Sequence, residues 1–117
     1  MLRIEIEWAA PIQAPTIPLG GTLTLAENVT TPSTQSSPVP APPSTQVVVA
    51  RLRNIGSTPI FIRLGYQDPA APTQLRTQPD GAGTVVNVAQ EPRRRLDPGE
   101  AQVMNAPSGA RFIWSAT

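Results

Sequence analysis

The chain offers few side chains that could perform catalysis. It has 117 residues, with no histidine and no cysteine, and all nine of its basic residues are arginine. The usual general bases, thiolate nucleophiles, Schiff-base lysines and zinc ligands are therefore missing. The absence of cysteine also excludes a disulfide framework. The composition leaves a pair of carboxylates as the remaining route to an active site.

A pair of carboxylates, of the kind that glycosidases use, is the remaining catalytic possibility. Eight acidic residues are available for it: Glu5, Glu7, Glu27, Asp68, Asp80, Glu91, Asp97 and Glu100. Glu5 and Glu7 share one face of a predicted strand, but an exposed charged face explains that arrangement without catalysis. Asp68 and Asp80 are too isolated to form a calcium loop. The sequence predicts a protein that is not an enzyme and binds no cofactor and no metal.

Two short motifs resemble ligand-binding sequences but lack a necessary part. Residues 80–84 (DGAGT) resemble a phosphate loop, yet no lysine follows them and no helix is predicted after them, so they indicate a turn. Arg93, Arg94 and Arg95 form the single basic cluster, flanked by Glu91 and Asp97. In an extended strand these arginines alternate between faces, and the formal net charge is only +1, which disfavours nucleic-acid binding. The cluster indicates either contact with an acidic protein surface or a solvated strand edge.

The elements that would position these side chains are strands. Leu2, Ile4, Ile6 and Trp8 alternate with charged residues, which predicts a half-buried strand. Further strands are predicted at 22–25, 46–53, 59–66, 74–77, 84–89, 101–104 and 110–116. The turn at 54–57 predicts that the strands on either side of it form a hairpin. The pattern predicts an all-β fold, a small β-sandwich or barrel of Ig-like or jelly-roll-like kind.

The last predicted strand carries apolar side chains on both faces. Phe112 and Trp114 lie on one face and Ile113 on the other, as expected for a strand between its own core and a neighbouring molecule. Trp114 is therefore either a core or an interface residue, and a sugar-stacking role is a third possibility.

A proline-rich segment separates the first strands from the rest of the chain. Five prolines lie between Thr30 and Thr45, and proline lacks the amide hydrogen that sheets and helices need. Extended as polyproline II, the segment would reach about 50 Å. The sequence thus divides into a strand-forming N-terminal arm (1–29), a linker (30–45) and a β-sandwich domain (46–117).

This division leaves two interpretations of the arm, a floppy tether or a strap across a neighbouring subunit. The strap is favoured, because the strand Leu2–Trp8 needs a partner with which to pair. Deletion of residues 1–45 is then expected to leave a soluble fold that cannot assemble. The candidate interface residues are Leu2, Ile4, Ile6, Trp8, Arg93, Arg94, Arg95 and Trp114.

The N-terminus has no secretory pattern, and no stretch approaches the ~20 apolar residues of a membrane helix. We therefore expect synthesis in a cytosol and no membrane partner.

Residues 48–65 (VVARLRNIGSTPIFIRLG) and 96–117 (LDPGEAQVMNAPSGARFIWSAT) resemble small β-sandwich virion proteins of tailed bacteriophages. The similarity lies in the spacing of strands and turns. It implies a capsid decoration (cement) protein on the virion surface, assembled in the host cytoplasm. Homo-oligomers, most often trimers, and contact with the major capsid protein or another virion protein are implied as well. The alternative is a tail, connector or fibre-associated attachment module, including one that binds glycans.

Overall fold

The computed structural model describes residues 1–9, 25–41 and 47–117. In these ranges the protein is built from strands, with a single 3-10 turn at Pro79–Gly81. The strands are β1 (Leu2–Ala9), β2 (Leu25–Val29), β3 (Val47–Asn54), β4 (Ile60–Asp68), β5 (Ala71–Arg76), β6 (Arg94–Leu96), β7 (Ala101–Asn105) and β8 (Ala110–Ser115). The predicted all-β fold class is confirmed.

The strands form two antiparallel sheets that pack face to face as a small sandwich. Sheet A has the order β2-β1-β3-β7. Sheet B is built around β4, which pairs with β8 along one edge and with β5 and β6 along the other. The register shows this arrangement. Phe61 of β4 has Arg95 of β6 on one side and Ser115 of β8 on the other. Tyr66 of β4 has Arg76 of β5 on one side and Ala110 of β8 on the other.

The core lies between the sheets and is supplied by alternate residues of each strand. Leu2, Ile4 and Ile6 of β1 are all fully buried and belong to the same apolar cluster as Leu52 of β3 and Phe112 of β8. Because β1 pairs with β2 on one side and β3 on the other, it is an internal strand. The expectation that these β1 residues form an interface is corrected, since they are core residues of their own chain.

The predicted hairpin at 54–57 is wrong. β3 pairs with β1 and β7 in sheet A, whereas β4 lies in sheet B. The turn is instead a corner between the sheets, organised by the buried side chain of Asn54. Its Nδ2 donates to the carbonyls of Thr58 (2.8 Å) and Leu96 (3.0 Å), and its Oδ1 accepts from the Gly56 amide (2.9 Å).

The described part of the proline-rich segment, residues 30–41, lies along the outer edge of β8. The amides of Ser33, Ser36 and Val39 donate to the carbonyls of Trp114, Phe112 and Ala110 at 2.7–2.9 Å. These donors are residues other than proline, so the prolines between them cost no hydrogen bond. Val39 is 2% exposed and belongs to the core.

These contacts correct the division at 29 and 45. β1 and residues 30–41 are parts of the sandwich, so removing residues 1–45 would remove an internal strand and part of the core. We expect that truncation to unfold the protein rather than to leave a soluble domain. Residues 10–24 and 42–46, which include the predicted strand residues 22–24, lie outside the described residues.

The predicted strand at 84–89 is also wrong. Its residues make one isolated bridge, Val85 opposite Arg76, and residues 88–89 form a turn. Val86 and Val88 are buried with Leu75 and Ile113 in a second apolar cluster on the outer face of sheet B. The protein's own chain therefore covers Ile113 on the outer face of β8, and no neighbouring molecule is required to bury it.

Candidate functional site

The two long sides of the sandwich differ. On the side formed by β2 and β8, which we call the closed seam, residues 30–41 bridge the sheets. The Ser37 amide donates to the Glu27 carboxylate of β2 (2.9 Å), and Trp114 Nε1 of β8 donates to the Val29 carbonyl (2.8 Å). On the opposite side, the open seam, β7 of sheet A lies beside β6 of sheet B.

β7 is the least protected edge strand in the described part of the chain. It pairs with β3 along one edge, and no described strand pairs with the other. Its sequence, AQVMN, contains no charged residue and no proline, the features that usually protect an edge from adding a further strand. Val103, at its centre, has 65% of its surface exposed.

The other edges of the sheets carry such protection. β2, at the other end of sheet A, contains Glu27. In sheet B, β6 presents Arg94 and Arg95, β5 contains Pro72, and the β4–β5 pairing shifts register at Gln67. The edge of β8 is covered by residues 30–41. β7 is therefore the position at which this fold can most readily accept a strand from another chain.

The outer face of sheet A beside β7 combines an apolar patch with positive charge. Val103 is directly opposite Arg51 of β3, and Ala101 is opposite Arg53. Residues opposite each other in a sheet share a face, so these arginines flank Val103, and both are exposed. A partner strand added at β7 would meet this face with an apolar side chain and a carboxylate.

The arginine cluster divides between faces as predicted. Arg95 is opposite Phe61 on the outer face of sheet B and forms an ion pair with Asp97 (3.0 Å). Arg94 is opposite Ile62 on the core-facing side, and its guanidinium donates to Gln102 of β7 (3.0 Å). That contact joins the two sheets across the open seam.

Arg93 is held by its own chain. Its guanidinium lies 3.7 Å from the centroid of the Phe61 ring, forms an ion pair with Glu91 (3.2 Å) and donates to the Thr117 carbonyl (2.7 Å). These contacts fix the C-terminal end of the chain against sheet B. Arg93 is therefore a structural residue in this fold, whereas Arg94 and Arg95 remain exposed.

Of the two tryptophans predicted to lie at an interface, the structure describes the side chain of Trp114. Trp114 is buried in the core, which decides between its alternatives and corrects the interface assignment. The buried rings of Trp114 and Phe112 are not available to stack on a sugar. Trp8 is opposite Val48 in the β1–β3 pairing, and its side chain lies outside the described residues. The sequence-based reasoning did not identify the β7 edge, although an uncharged strand between two turns was a usable signal.

Among the described side chains, Asp68 is the carboxylate that the fold buries. Asp68 is buried at the end of β4, where it accepts from the Ala70 amide (2.9 Å) and pairs with Arg76 (3.0 Å). The Ala70 amide, followed by the Arg76 guanidinium, holds the pKa of Asp68 below its usual value. This carboxylate is a charged acceptor that stabilises the β4–β5 connection.

Across the described ranges, no group of three acidic, histidine or cysteine side chains is placed to hold a metal ion. A membrane-spanning helix is likewise not found among those residues. Comparison with models of protein families, with curated proteins and with solved structures gave no match for this chain.

Proposed function

We propose that this protein is a non-enzymatic structural protein of a bacteriophage virion, of the capsid decoration (cement) type. The observation that carries the proposal is the unprotected edge of β7 with Val103 exposed at its centre. The resemblance of residues 48–65 and 96–117 to small virion β-sandwich proteins supplies the biological setting. The protein assembles with copies of itself and clamps neighbouring subunits of the capsid.

Strand addition at β7 would supply both affinity and register. The unpaired amides and carbonyls of an edge strand form a ladder with the incoming strand, and alternate side chains set the register. Covering Val103 adds hydrophobic stabilisation, since full burial of a valine side chain contributes about 1.5–3 kcal/mol. Arg51 and Arg53 favour a partner with acidic residues on the same face.

The closed seam supports a mechanical role. Residues 30–41 bond to β2 and to β8, so they tie sheet A to sheet B. A cement protein must transmit load between the subunits that it joins, and a sandwich tied along one side holds its sheets together while the other side engages a partner. In this arrangement the proline-rich segment acts within its own subunit.

The assembly surface is tested with a charge placed at the β7 edge. Val103→Lys should leave the fold intact, because the side chain is exposed, and should reduce the mass measured by light scattering after size exclusion towards the 12.4 kDa of the single chain. Val85→Lys is the matched control, since Val85 is also an exposed valine (46%) but lies outside the strands. Equal masses for wild type, Val103→Lys and Val85→Lys would contradict assembly through β7.

The location in the virion is tested by imaging. Particles purified from the culture that produces the protein should show, by electron cryomicroscopy, density for the sandwich on the capsid lattice. Density confined to the tail or the connector would overturn the decoration assignment and support the attachment-module alternative. The absence of the protein from the particles, measured by mass spectrometry, would refute a virion role altogether.

A further inference from the structure

A cleft of about 410 Å³ opens into the sandwich at the open seam. Its lining includes apolar side chains of both sheets, among them Ile62 and Leu64 of β4, Met104 of β7 and Phe112 of β8. Leu64 and Met104 are only partly buried, so apolar surface faces the cleft. The volume lies in the range of sites that bind small organic molecules, roughly 300–1,000 Å³.

The cation on the core-facing side of this cleft is Arg94. Arg63 and Arg93 also contribute to the lining, but their guanidinium groups are engaged elsewhere, Arg63 with the Asn87 carbonyl (2.9 Å) and Arg93 against the Phe61 ring. Arg94 is opposite Ile62 and therefore on the side of the core. The described part of the chain thus presents one guanidinium to an otherwise largely apolar cleft.

Arg94 forms no ion pair with the described carboxylates, unlike Arg93 and Arg95 on either side of it. Arg93 and Arg95 each form an ion pair with a carboxylate, whereas Arg94 donates to the neutral side chain of Gln102. Gln102 accepts through Oε1, and within the described ranges its Nε2 makes no hydrogen bond. The guanidinium, which lines the cleft, and the Gln102 amide, which lies beside the guanidinium, are therefore both able to donate to an anion.

We infer that the cleft binds an alkyl carboxylate. Arg94 and Gln102 hold its carboxylate, and its hydrocarbon chain lies against the partly buried Leu64 and Met104. A planar guanidinium matches a carboxylate with two parallel hydrogen bonds, and one such cation above an apolar cleft selects a monoanion with an apolar chain. The inference does not depend on the proposed function, since it uses the interior of the seam and not the β7 edge.

Octanoate is the probe, and octan-1-ol is its uncharged counterpart. The chain has two methionines, Met104 in the cleft and Met1 at the exposed N-terminus, so methyl-labelled methionine gives two NMR signals. Octanoate should shift the Met104 signal in a saturable manner and leave the Met1 signal in place. The full-length protein is used throughout.

Arg94→Gln and Arg95→Gln form the matched pair of variants, since both arginines are exposed strand residues. Arg94→Gln should weaken octanoate binding by about tenfold or more, the loss expected for a charge-assisted contact, with little effect on octan-1-ol. Arg95→Gln should bind octanoate like the wild type. An unmoved Met104 signal, equal losses in both variants, or equal affinity of the wild type for octanoate and octan-1-ol would each overturn the assignment.

Discussion

Replacement of Asn54 by alanine tests whether one buried side chain fixes the corner between the two sheets. Asn54 is fully buried at the end of β3. Its amide and carbonyl groups bond to the backbone of Gly56 and Thr58 in the corner and of Leu96 in β6. The substitution removes all three hydrogen bonds and leaves the Leu96 carbonyl with one partner fewer inside the protein.

The expected cost follows from these contacts. Each hydrogen bond contributes about 0.5–1.5 kcal/mol net, and a buried group left without a partner costs about 1–3 kcal/mol. The three bonds together give an expected loss of about 3 kcal/mol in the free energy of unfolding. That loss is a large fraction of the stability of a small domain, typically about 5–15 kcal/mol.

Equilibrium unfolding in guanidinium chloride measures the effect, at a protein concentration that keeps the chain monomeric. Asn87→Ala is the matched control, because Asn87 also accepts from the amide two residues on (Ala89, 3.0 Å) but is exposed. The control should change stability by no more than about 0.5 kcal/mol. A similar small loss for Asn54→Ala and Asn87→Ala would refute the role of Asn54 in joining the sheets.

Two further changes probe the closed seam and the acid-sensitive contact of sheet B. Ser36→Ala should destabilise the protein by about 1–3 kcal/mol, because the buried Ser36 hydroxyl accepts from the Phe112 amide (2.9 Å). Ser37→Ala, at an exposed side chain, should be near neutral in the same denaturant titration, and equal effects would contradict the seam. The folded pKa of Asp68 lies below its unfolded value, so its contribution is complete above the unfolded pKa and is lost as pH falls through the folded one. Asp68→Asn should therefore approach wild-type stability as the pH falls through the folded pKa of Asp68, and a difference that stays constant through this acid range would show that the carboxylate charge contributes nothing.

The strands themselves could be predicted from sequence because their periodicity is local. The alternation of Leu2, Ile4 and Ile6 with charged residues identified β1. Short runs rich in apolar residues between turn signals identified β3, β4, β7 and β8 to within about two residues. β6 was not predicted as a strand, since three residues with two arginines give no usable period. Its pairing with β4 is set by Leu96, which is buried opposite Ile60.

The errors arose where distant residues determine the local structure. The corner at 54–57 has the composition of a hairpin turn, but the bond from Asn54 to Leu96, 42 residues away, sends β4 into the other sheet. The prolines of residues 30–41 suggested a linker, although the amides of the residues between them bond to β8. Val86 and Val88 fit a strand by pattern, yet they serve to cover Ile113.

The candidate site could likewise be predicted only where local periodicity determines it, and not where the order of the strands does. Alternation placed Arg94 and Arg95 on opposite faces correctly, but it could not show that Arg94 faces the other sheet. Val103 is exposed because it lies on the outer face of sheet A, opposite Arg51, and the edge of β7 is free because β7 ends the strand order. No local pattern gives the strand order. Apolar strand residues such as Ile4 look alike in sequence whether they face a core or a partner, and only the sheet order separates the two.

Hydrogen–deuterium exchange at β7, followed residue by residue over a range of protein concentrations, tests assembly through this edge most directly. The β7 amides that point away from β3 should exchange rapidly in dilute protein and become protected as the mass of the assembly rises. If the assembly forms while these amides continue to exchange at the dilute rate, or if no assembly forms at any concentration, the edge of β7 is not the surface through which copies of this protein join.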